Sequence, residues 1–136
     1  MSKSEVKMLP LLGKTIVGYS VNKGKHVDGD DMEYGDNIIF RCEDESVWKM
    51  YHEQDCCEYV CIVDICGELE DLLERPLVMA EEIVTENIDP EHYESITHTF
   101  YKFATTRGYV TIMWRGESNG YYCERVSLKE LGKLSF

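Results

Sequence analysis

Proline is scarce in this chain, three residues in 136, and Pro10 interrupts the apolar stretch near the N-terminus. Met1 to Gly13 therefore lacks the unbroken apolar core of a secretory signal, and no export is expected. Nowhere do about 18 consecutive apolar residues occur, so no transmembrane helix is expected either. Cations are few: 14 Lys and Arg stand against 26 Asp and Glu, for a formal net charge of −12 and a sequence pI near 4.7. Long nucleic acid and anionic membrane both require a cationic face, which argues against either as a partner. Neither Gly-x-x-x-x-Gly-Lys-Ser/Thr nor Gly-x-Gly-x-x-Gly occurs, which excludes phosphate cradles of those two kinds. The acidic loop Asp28 to Asp36 is not an EF-hand, because Met32 and Ile39 stand at the fifth and twelfth positions, where oxygen ligands are needed. A solvated turn is the plainer reading of that loop.

What remains is a chain with 43% hydrophobic and 11% aromatic residues, too apolar for a disordered acidic tail. Its length predicts a single domain over residues 1–136, with 1–13 poorly ordered or peripheral. Period-two alternation recurs along it. Residues 15–22, 37–42 and 47–52 read as strands, with Ile38, Phe40 and Cys42 on one face and Trp48, Met50 and His52 on another. Residues 57–66 read as a largely buried strand. Glu68 to Glu74 spaces its leucines three and four apart before Pro76, predicting a helix of about two turns. Residues 77–86, 96–106 and 109–115 continue the strands, the last with Val110, Ile112 and Trp114 inward. Asn119-Gly120 predicts a hairpin into residues 121–128. The expected fold class is β-rich α+β: an antiparallel meander sheet or partly closed barrel of about seven strands with one short helix.

Six cysteines without a secretory signal read as reduced thiols rather than a disulfide framework. Four lie between Cys56 and Cys66. With His52 they supply zinc's ligand types, and His52, Cys56, Cys57 and Cys61 are the alternative metal set, but no Cys-x-x-Cys pairing occurs. His52 with Cys56 or Cys57 could form a nucleophile pair, yet Glu53, Asp55 and Glu58 disfavour a thiolate there. Buried structural thiols and a turn-closing His52 are the simpler readings. No cofactor and no catalytic residue is expected.

Charge is uneven along the chain. Residues 1–94 carry 8 basic and 23 acidic side chains, whereas 95–136 carry 6 basic and 3 acidic. Arg107, Arg115 and Arg125 accompany Phe100, Tyr101, Trp114, Asn119, Tyr121 and Tyr122 in that last segment. Guanidinium forks beside aromatic faces suit a ligand that is part phosphate and part base, so these nine residues form the expected ligand site. Core aromatics with rim arginines are the competing interpretation.

Tyr51-His52-Glu53-Gln54-Asp55-Cys56-Cys57-Glu58, Asp64 to Leu72, Ala80-Glu81-Glu82, Thr99-Phe100-Tyr101 and Gly116-Glu117-Ser118-Asn119-Gly120-Tyr121-Tyr122 together resemble a family of small proteins encoded mainly by bacteriophages and prophages. The resemblance covers roughly residues 47–128. Members often carry Trp, Arg and Tyr where this chain has His98, Met113 and Arg115. The resemblance implies a viral protein acting in the host bacterial cytosol, and by analogy with Thoeris anti-defence proteins a sponge. Such a protein, at least a homodimer, would hold a cyclic-nucleotide or cyclic ADP-ribose signal without cleaving it. An acidic inhibitor or nucleic-acid mimic docking on a host protein, through Asp28–Asp36 and Glu81–Glu94, is the alternative.

Overall fold

The computed structural model describes residues 2–24, 35–54, 57–89, 91, 94–120 and 123–133. Among these, nine strands form: β1 (Ser2–Met8), β2 (Ile16–Asn22), β3 (Asn37–Cys42), β4 (Ser46–Tyr51), β5 (Tyr59–Cys66), β6 (Met79–Asp89), β7 (Glu94–Ala104), β8 (Tyr109–Ser118) and β9 (Ser127–Lys133). They make two antiparallel sheets, one ordered β1-β6-β7-β8-β5 and the other β2-β3-β4-β9, not closed into a barrel. The β-rich antiparallel expectation holds. None of the described helices is long and apolar enough to cross a membrane.

Alternation drives the architecture, because each strand's apolar parity must be buried. Ile38 and Phe40 of β3, Trp48 and Met50 of β4, Tyr101 and Phe103 of β7, and Val110, Ile112 and Trp114 of β8 meet in one hydrophobic cluster. Phe40 packs edge-on against Phe103 with centroids 5.7 Å apart, and the Trp114 indole donates to Met50 Sδ at 3.2 Å. Both contacts tie one sheet to the other.

Four local expectations are corrected. The N-terminal segment is peripheral but not poorly ordered: β1 is an edge strand that pairs with β6 along its length, and Leu9 and Leu11 are buried. Residues 57–66 are not largely buried, because β5 is a sheet edge whose buried apolar side chains are Val60 and Ile62, with Ile65 partly buried beyond a bulge between Ile62 and Asp64. The short helix is a single 3-10 turn, Leu69–Leu72, anchored by its two buried leucines. Finally, Asn119-Gly120 does not close a hairpin within one sheet. β9 pairs with β4 of the other sheet, and Glu124 packs over Gly116, where an added Cβ would lie 2.7 Å from Glu124 Cβ. A hairpin strand returning on β8 would need a free edge of that strand, whereas β7 and β5 occupy both.

Candidate functional site

Strand parity decides which expected ligand residues can meet a ligand. Tyr101 and Trp114 are 0% and 1% exposed on the inner faces of β7 and β8, and this removes both from the expected site. The Tyr101 hydroxyl donates to Glu82 Oε2 at 2.7 Å, and burial beside that carboxylate pushes its pKa well above the usual phenol range. These aromatics are core because their positions share parity with Phe103 and Ile112.

The three arginines are not brought together. Arg107 is exposed in the β7–β8 turn, while Arg115 lies six residues along β8 from Tyr109, roughly 20 Å away at strand rise. Arg115 is on the outer face and pairs with Glu117 at 3.2 Å. Arg125 belongs to the crossing segment on the other side of the sheet, bonded to Glu86 at 3.0 Å and to Glu5 at 3.1 Å. Its guanidinium ties that segment to β1 and β6. Asn119 is exposed beyond the end of β8 and lines a cavity of about 380 Å³ with Tyr59, Ser95 and Glu117. Tyr121 and Tyr122 lie outside the described residues.

Two of the expected residues do share a surface. On β7 and β8 the outward register sets Phe100 opposite Met113 and His98 opposite Arg115, with Cys61 of β5 next in the row. The His98 and Phe100 rings stack with centroids 6.2 Å apart and planes 26° from parallel. Ile83 of β6 and exposed Val6 of β1 extend the Phe100 row. The outer face thus offers an aromatic pair, a neighbouring guanidinium and an apolar stripe. His98 was missed as a site residue, although counting in twos from Phe100 on β7 already puts it on that face, and Cys61 was expected only in the metal set.

The Tyr51–Glu58 motif forms a buried clasp. The His52 and Glu58 side chains are 5% and 0% exposed, with His52 Nε2 2.9 Å from Glu58 Oε2. His52 Nδ1 lies 2.7 Å from the Arg125 carbonyl oxygen. A carbonyl only accepts, so Nδ1 is the donor there and Nε2 faces the Glu58 carboxyl group. Gln54 Nε2 donates to the Glu58 backbone oxygen at 2.7 Å, closing the turn. On the solvent side, Asn37, Lys49, Tyr51 and His52 border a cavity of about 250 Å³. The clasp links the end of β4, the start of β5 and the crossing segment.

This geometry corrects the metal set. Both His52 ring nitrogens are engaged, Cys57 is disulfide-bonded rather than a reduced thiol, and Cys61 is on the outer face beside Arg115. Cys56 lies outside the described residues, as does the acidic stretch 25–34. Cys42, Cys61, Cys66 and Cys123 are free thiols, and burial raises the pKa of Cys61 and Cys42. A raised pKa favours the unreactive thiol. Glu124 is buried too, its Oε2 accepting from Ser118 Oγ, while Oε1 has no partner among the described residues.

Among comparisons with known proteins, one family model, Domain of unknown function (DUF7448), matches residues 9–128. No curated protein and no solved structure matches the chain.

Proposed function

This chain belongs to the DUF7448 family, and from that premise we propose that it is a binding protein of phage origin whose ligand sits on the outer face of the five-stranded sheet. The ligand is a small phosphate-bearing host immune signal of the cyclic-nucleotide or cyclic ADP-ribose type, sequestered without cleavage in the bacterial cytosol by a homo-oligomer. The observation that supports this reading is the stacked His98–Phe100 pair beside Arg115. An aromatic pair offers π-surface to a base, and the guanidinium offers a fork to phosphate in exchange for its Glu117 contact. Of the expected ligand residues this reading keeps Arg115 and Phe100, with Asn119 at the strand end, and adds His98.

The test is native mass spectrometry of protein recovered from bacteria with active defence systems, followed by denaturation and weighing of whatever is released. An intact nucleotide in the wild type, lost in Arg115→Ala with the fold retained, is the expected result. Protein alone, or equal ligand in Arg115→Ala, overturns this reading.

One observation favours the acidic-inhibitor alternative: Lys14, Lys23, Arg115, Arg125 and Lys129 each pair with a carboxylate, in a chain whose 26 acids outnumber its 14 bases. Docking of that kind would weaken steeply with salt and fail when Asp30, Asp31 and Glu33 are neutralised together.

A further inference from the structure

The two edges of the five-stranded sheet differ. At β5 the Ile62 backbone is capped by side chains: its N–H donates to Asp36 Oδ2 at 2.8 Å and its carbonyl accepts from Lys23 Nζ at 2.8 Å. That cap and the bulge before Asp64 block strand addition there. At β1 no strand other than β6 pairs among the described residues, and Ser4 to Met8 are all exposed, with Val6 at 67% and Met8 at 70%. Two exposed apolar side chains on an unpaired edge are a template for another strand.

We propose that β1 pairs antiparallel with β1 of a second copy, about a two-fold axis through Val6, giving a continuous ten-stranded sheet. Charge selects both the occupant and the register. Centred on Val6, the pairing sets Glu5, whose carboxylate also accepts from Arg125 of its own copy, against Lys7 of the second copy and Lys7 against its Glu5, with Val6 on Val6 and Met8 on Ser4. Moving the axis by one residue sets Glu5 on Glu5 or Lys7 on Lys7, both repulsive. Parity agrees as well. Val6 pairs with outward Ile83, and Glu5 and Lys7 pair with the inward positions Val84 and Glu82, so facing residues in the new ladder lie on one side of the sheet. The apolar row Met113, Phe100, Ile83, Val6 then runs unbroken into its symmetry mate, so the same face carries both copies of the outer surface. A lone Lys7 would guard the edge, but Glu5 two residues away converts that guard into a self-complementary pair.

This inference deepens the homo-oligomer part of the proposed function and rests on it for nothing else. It is tested on ligand-free protein by sedimentation equilibrium over a dilution series, with circular dichroism to check folding. The wild type is expected to be dimeric, and Glu5→Lys and Lys7→Glu each monomeric. An equimolar mixture of the two variants is expected to regain dimer, because each then opposes Lys residues with Glu residues. A wild type that stays monomeric overturns the interface, as does a dimer indifferent to both reversals or variants that fail to recombine. Ligand release in the mass-spectrometric experiment is a separate readout, so the interface and the binding function fail independently.

Discussion

At the residue scale, the motif around His52 turns out to be a device for holding three chain segments together. Its polar groups are buried yet matched: one ring nitrogen meets the Arg125 carbonyl and the other meets Glu58. Removing one partner strands the other in the interior, so Glu58→Ala is expected to cost about 3–5 kcal/mol, read as a lower urea midpoint, with a smaller loss for Glu58→Gln. A second residue-scale prediction concerns acid. Hydrogen bonds from Lys14 and from the Ser46 side chain and amide hold the Asp44 carboxyl well below its ordinary range. A carboxylate depressed in the folded state stabilises the fold above its unfolded pKa, and that contribution is lost as pH falls toward the folded value. Asp44→Asn should therefore lower Tm at pH 6 to 7, the gap narrowing only as pH falls below about 4 and closing toward the depressed folded value. His52 in the sequence could be read as a turn-closing residue, which it is. Its partner Glu58 could not, since one glutamate among many acids carries no signal until the chain places it.

Among elements, the crossing segment 123–126 carries the largest departure from what the sequence suggests. Asn-Gly after an alternating strand is a strong hairpin pattern, and Gly120 does adopt a positive φ of 91°. The chain turns, but it then leaves β8's sheet. Three anchors steer it: Glu124 over Gly116, the Val126 carbonyl oxygen 3.3 Å from the Tyr101 hydroxyl, and Arg125 on Glu5 and Glu86. Gly116→Ala is expected to displace this segment, since the new methyl would meet Glu124 Cβ at 2.7 Å and the Glu124 carbonyl oxygen at 2.9 Å. A loss of about 1–3 kcal/mol in thermal stability, with faster amide exchange in β9 than in β7, is the expected outcome. The outward parity of β7 and β8 was legible from alternation, because Trp114 groups with Val110 and Ile112 while Arg115 falls on the opposite side. That same count already opposed placing Trp114 in a ligand site.

For the whole molecule, two sheets share one core, and each contributes a single tryptophan, Trp48 on β4 and Trp114 on β8. If the sheets unfold as one unit, Trp48→Phe and Trp114→Phe variants will each show a fluorescence transition coincident with far-UV circular dichroism. A split between the two signals would mean that the sheets melt separately. Composition and period-two patterning determined the β-rich class, most strand positions and which side chains are core, because burying the apolar parity of each strand is the dominant free-energy term. They did not determine which strand joins which sheet, nor that Arg107, Arg115 and Arg125 would end on separate surfaces. Those outcomes depend on contacts between residues far apart in the chain, such as His52 with Arg125 or β4 with β9. Such contacts exist only once the two sheets have packed and the crossing segment is seated between them.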